Sequence, residues 1–144
     1  MTVMNPNLLY VSADMSSTSW GDATSHEVFT VTGLARMKMW CYCSETVTSS
    51  GSCTIEYGTA SDTDGFIAST DATTLAAGDI WYDTTPATAF DTFALAVMDY
   101  VVYDVDVGYT IGTTKTDNGT LVFGCEWSPL SAGATVVAGD GTAL

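Results

Sequence analysis

Apolar and polar side chains alternate with a period of two over residues 27–57, with one interruption. Phe29, Val31, Ala35, Met37, Met39, Cys41, Cys43 and Val47 share one parity, and Gly33 stands where the chain can bend. Beyond Ser49-Ser50-Gly51-Ser52 the residues Cys53, Ile55 and Tyr57 resume it. Successive side chains of a strand point to opposite faces, so this pattern predicts a long β-hairpin with one half-buried face. A second hairpin is predicted further on. Val101, Tyr103, Val105, Val107, Tyr109 and Ile111 share a parity, Thr116-Asp117-Asn118-Gly119 supplies a tight turn, and Leu121, Phe123, Cys125 and Trp127 return.

The stretches between these runs are shorter and less regular. Residues 1–22 read as an N-terminal arm and loop, with Leu8-Leu9-Tyr10-Val11 as an arm segment or a short first strand. A polar turn over 58–65 leads into a strand at Phe66-Ile67-Ala68. Leu75-Ala76-Ala77 reads as a single helical turn stopped at Gly78, and Ile80 to Tyr82 as another strand closed by Pro86. Residues 90–98 fit a strand or a short helix equally well. Residues 132–144 form a Gly/Ala/Val tail around Val136-Val137. The whole reads as one domain: arm 1–22, β-sandwich 23–131 and tail 132–144. The expected fold is all-β, a β-sandwich that is jelly-roll-like, or a partly closed antiparallel barrel.

Composition narrows the partners. Of 144 residues 47% are hydrophobic and 14% charged, which suits pleated sheet and a folded chain. Seventeen acidic residues against three basic ones give a formal charge of −14, which repels phosphate backbones and anionic lipid, so neither nucleic acid nor membrane is expected as a partner. The first residues, Met1-Thr2-Val3-Met4-Asn5-Pro6, lack the basic start and apolar core of a secretory signal. Folding in a cytoplasm is expected, with Cys41, Cys43, Cys53 and Cys125 reduced and buried.

Candidate chemistry is sparse. His26, the single histidine, stands in Ser25-His26-Glu27 without a nucleophile motif and reads as a surface or strand-edge residue. The four cysteines lack the tight-turn spacing of a zinc site, and a disulfide between hairpin strands stays open. Asp62, Asp64 and Asp71 approach a calcium loop, but Ala60 occupies the first-ligand position and Asp71 replaces the bidentate Glu, so a solvated turn is favoured. Asp104 and Asp106 are placed on the outer face of one strand. No phosphate-cradling loop precedes a helix, and no pair of carboxylates is held in place for glycoside hydrolysis. The chain is not expected to be an enzyme, and no cofactor is expected.

One face does attract attention. Arg36 and Lys38, two of the three basic residues, line up with Trp40 and Tyr42 on the outer parity of the first hairpin. Arginine beside aromatic residues is enriched at protein contacts, so the candidate interface is Leu8, Leu9, Tyr10, Trp20, Arg36, Lys38, Trp40 and Tyr42. A second sheet or a loop covering the same face is the competing reading.

Four segments occur in order: Phe29-Thr30-Val31-Thr32-Gly33, Thr54-Ile55-Glu56-Tyr57-Gly58-Thr59-Ala60, residues 71–81 from Asp71-Ala72-Thr73 to Ile80-Trp81, and Trp127-Ser128-Pro129-Leu130-Ser131. This pattern of strands and turns resembles small virion structural proteins of tailed bacteriophages. The resemblance implies a capsid decoration protein, a homotrimer bound to the major capsid protein on the virion surface and made in the host cytoplasm. The alternative is a head-fibre or a receptor- or carbohydrate-binding β-sandwich module. Trp40-Cys41-Tyr42-Cys43 and the strong acidity depart from the pattern.

Overall fold

A computed structural model describes residues 7–87 and 98–144 of the chain. Two antiparallel sheets pack face to face. Among the described residues nine strands build them: β1 (Leu8–Asp14), β2 (Ser25–Thr32), β3 (Leu34–Thr48), β4 (Thr54–Thr59), β5 (Asp62–Asp71), β6 (Asp99–Tyr103), β7 (Val107–Gly112), β8 (Asn118–Pro129) and β9 (Thr135–Ala138). One sheet runs β1-β8-β3-β6 and the other β5-β4-β7-β2-β9. The sheets are not closed on one another, so the fold is an open sandwich and not a barrel. A four-residue helix, α1 (Thr18–Gly21), joins the first two strands, and a 3-10 turn at Ala72–Thr74 follows β5.

The inward parity expected from the alternation is the observed core. Phe29, Val31, Ala35, Met37, Met39, Cys41, Cys43, Val47, Ile55 and Tyr57 are buried, as are Leu121, Phe123 and Cys125 on β8. Tyr109 stacks on Phe123 with ring centroids 5.2 Å apart and planes 7° apart, and Tyr57 packs on the same Phe123 at 5.2 Å. Offset and tilted aromatic contacts of this kind add to area burial.

The pairing, however, differs from the two expected hairpins. β3 and β4 do not pair, because residues 49–53 carry the chain from one sheet to the other; β3 lies between β8 and β6, and β4 between β5 and β7. Nor do β7 and β8 pair. Among the described strands, β4 and β5 form the single hairpin of consecutive strands. The cause lies in the corners. Gly33 takes φ +72 between β2 and β3, and Asp104 takes φ +46 between β6 and β7, so each run predicted as one strand breaks and changes sheets. The corners are clipped together: Gly33 N–H donates to Asp104 Oδ1 at 2.7 Å, and Asp104 N–H to the Gly33 carbonyl at 3.1 Å. At the opposite end the Ser49 hydroxyl donates to the Lys115 carbonyl at 2.7 Å and Asp117 N–H to the Thr48 carbonyl at 2.8 Å. A sandwich whose sheets both show one apolar face satisfies the alternation as well as hairpins do, and buries more.

The shorter segments find their places in the same architecture. Leu8-Leu9-Tyr10-Val11 belongs to β1, paired with β8 from Leu8↔Glu126 to Asp14↔Thr120, and Val136-Val137 belongs to β9, paired with β2. The flank of β3 beyond β6 is covered by residues 75–81, which are irregular: Gly78 N–H bonds Cys43 O, Cys43 N–H bonds Asp79 O and Trp81 N–H bonds Cys41 O. The 3-10 turn therefore precedes Leu75 instead of containing it, and Ile80 makes only isolated bridges to Tyr42 and Ala87. Most of the undecided stretch 90–98 lies outside the described residues.

Candidate functional site

Directly opposed residues of an antiparallel pair point to the same face, so the register maps the outside of the β1-β8-β3-β6 sheet. Leu8, Glu126, Lys38 and Asp99 form one row across four strands. Tyr10, Gly124 and Trp40 form the next, and Ser12, Val122 and Tyr42 the one after. On the other side of the first row lie Ser128, Arg36 and Val101, then Leu34 and Tyr103. Five of the seven exposed large hydrophobic side chains among the described residues stand on this face: Leu8, Tyr10, Tyr42, Val101 at 61% and Tyr103 at 66% exposure. Scattered apolar residues need no explanation, whereas this concentration on one face does.

The centre is ordered by a glycine. A Cβ at Gly124 would lie 2.0 Å from Trp40 Cε2, so the indole rests on bare backbone. Tyr10 meets the same ring edge-on at a centroid distance of 6.1 Å. Beside it, Arg36 holds Asp99 in a fork, Nε to Oδ1 at 2.9 Å and Nη2 to Oδ2 at 2.6 Å. The guanidinium holds the Asp99 carboxyl below the usual carboxylate range. Arg36, Lys38, Glu126, Trp127 and Ser128 border a shallow depression of about 150 Å³. Two cations and the carboxylates of Glu126 and Asp99 balance one another here, on a chain whose formal charge is −14.

Of the candidate interface residues, Leu8, Tyr10, Arg36, Lys38, Trp40 and Tyr42 come together on this face. Leu9 is half-buried against the core, one residue out of phase with its neighbours. Trp20, in α1, stacks on Tyr109 at 6.4 Å. The alternation puts Val101 and Tyr103 on the apolar parity of the second hairpin, and they instead face outward. Asp104-Val105-Asp106, with two charges around one apolar residue, is the signal that the phase changes there.

His26 is not at the surface. It is 1% exposed, and its ring lies 5.1 Å from that of Tyr109. Nδ1 faces the carbonyls of Ser19 at 2.8 Å and Gly141 at 3.1 Å, and Nε2 that of Asp22 at 2.9 Å. The ring ties α1 and the C-terminal segment to β2. A structural role leaves no nitrogen for a substrate.

The acidic residues do not converge either. Asp62 begins β5 and Asp71 ends it, where its carboxylate caps the 3-10 turn through Thr73 N–H at 3.0 Å. Asp104 and Asp106 occupy the corner between β6 and β7, not a strand face. Among the described residues no three His, Cys, Asp or Glu side chains are grouped to hold a metal ion. All four cysteines are free and buried; burial pushes the Cys43 thiol up to about 11 and the Cys125 thiol up to about 12. Among the described residues no helix is long and apolar enough to cross a membrane.

Comparison with known proteins is empty on every side. No family model, no curated protein and no solved structure matches this chain.

Proposed function

We propose that the chain is a capsid decoration protein, laid through the outer face of the β1-β8-β3-β6 sheet onto the major capsid protein of a tailed-phage shell. The resemblance of its strand and turn segments to small virion structural proteins motivates the reading. The observation that carries it is the gathering of Tyr10, Trp40, Tyr42, Val101 and Tyr103 around Arg36 and Lys38 on one face, at whose centre Asp99 and Glu126 balance the two cations. Exposed aromatics give a docking core, and the balanced charges of Arg36, Lys38, Asp99 and Glu126 at its centre reduce the repulsion that a chain of −14 offers an acidic partner. The function is then adhesion without chemistry.

The test is sedimentation with purified shells that lack the protein. Wild type is expected to co-sediment to saturation, and Trp40→Ala with Tyr103→Ala to lose at least tenfold in affinity, as truncation of central aromatic anchors does. A chain missing from purified particles, and remaining in the supernatant when shells are added, would end the proposal. A second reading, sugar binding, draws on the same aromatics. Glycan-array binding lost in Trp40→Ala, with no affinity for shells, would favour it.

A further inference from the structure

We propose that β1 is a self-association edge, along which two copies of this chain join antiparallel strand to strand and merge their four-stranded sheets into one of eight. Among the described strands four are edges, β1 and β6 in one sheet and β5 and β9 in the other. An edge strand offers unpaired backbone groups to another chain, and natural proteins blunt it by shortness, charge or bulges. Three edges are blunted in this way. β5 carries Asp62, Asp64 and Asp71 and shifts register twice against β4. β6 has five residues and opens on Asp99, and β9 has four. β1 is different: its seven residues pair with β8 in unbroken register, and the first six, Leu8 to Ala13, carry no charge. Among the described strands, none pairs with its other side.

The occupant is a second copy because the strand complements itself. An antiparallel pair centred on Val11 opposes all seven residues: Leu8 to Asp14, Leu9 to Ala13, Tyr10 to Ser12 and Val11 to Val11 of the second copy. Inward residues meet inward ones, so Leu9, Val11 and Ala13 extend a single apolar layer, and half-buried Leu9 gains cover. The one charge on the strand, Asp14, falls opposite Leu8, so two chains of −14 touch without opposing like charges. The same operation along β5 would set aspartates against aspartates. A twofold pair results, not the threefold that the resemblance implies. The inference does not depend on the shell reading.

Light scattering on the intact protein tests it, over about 5 to 200 µM at an ionic strength near 0.15 M. Wild type is expected to move toward twice the chain mass of 15.1 kDa. Tyr10→Glu with Ser12→Glu opposes like charges twice and should weaken pairing at least tenfold. Both positions are exposed, so far-UV dichroism should not change. Mixing that variant with Tyr10→Lys plus Ser12→Lys should restore a two-chain species. A wild type that stays single, forms threes, or pairs equally well in the Glu variant would overturn the proposal. So would a mixture that stays single. Amide exchange of wild type gives an answer without variants: residues 8–14 should exchange more slowly at the higher concentration, and no concentration dependence would refute the pairing.

Discussion

Replacing Gly124 with alanine probes the seat of the aromatic face. The added Cβ would stand 2.0 Å from Trp40 Cε2, 2.2 Å from Nε1 and 2.3 Å from Cζ2. Non-bonded carbons rest at about 3.5–4.0 Å, so the indole must move outward by roughly 1.5–2 Å. It then gives up the glycine backbone beneath it. Re-exposing roughly 60–80 Å² of ring at about 25 cal/mol per Å² costs about 1.5–2 kcal/mol. Losing the edge-on contact with Tyr10 costs about 0.5–1.5 kcal/mol. Alanine recovers about 0.5–1 kcal/mol that glycine forfeits within a strand. The net expectation is about 2 kcal/mol of destabilisation, read as a lower urea midpoint at unchanged slope. A double-mutant cycle isolates the cause. In a Trp40→Ala background the clash has no partner, so Gly124→Ala should become neutral or slightly stabilising. Equal costs in both backgrounds would refute the reasoning, because the loss would then come from the backbone and not from the ring.

Further outcomes follow from other parts of the fold. Gly33→Ala forces a side chain to φ +72 with its Cβ 2.9 Å from Ser131 Oγ, and should cost at least about 1–2 kcal/mol by chemical denaturation. Thr70→Val leaves the buried Trp81 indole N–H, which donates to Thr70 Oγ1 at 3.1 Å, without an acceptor; a loss of about 1–3 kcal/mol is expected, and an unchanged midpoint would show that another acceptor moves in. Stability should fall as pH rises above about 9. The folded chain keeps the Cys43 and Cys125 protons to about 11 and 12 while the unfolded chain releases them near the ordinary 9.0, so folding binds more protons and alkali opposes it. Burial pushes Tyr57 and Tyr109 upward with the same sign. Urea midpoints at pH 7.5 and 10 check this, and equal values would contradict it. Thiol titration of the native protein near pH 8 should proceed only as fast as unfolding, with all four cysteines reacting in denaturant.

The side chains of this protein declare which way they face. From Phe29 to Val47, and from Leu121 to Cys125, a period of two separates core from surface, because a pleated strand has only two sides and water accepts only one set. The strong acidity, the sheet class and the shared face of Arg36, Lys38, Trp40 and Tyr42 were legible for the same local reason. Which strands pair was not. Alternation states that an apolar face exists, and the same face can be buried by a hairpin neighbour's layer or by an opposing sheet; Gly33 and Asp104 decide for the opposing sheet through two backbone angles that no periodicity records. That choice turns Val101 and Tyr103 outward and brings Tyr10 beside Trp40 across Gly124. It also draws His26 inside, where carbonyls from the α1 segment and from the C-terminal segment converge on it. Facing is a property of neighbours two residues apart, whereas adjacency is settled by contacts between residues tens of positions apart, and only the folded chain contains those.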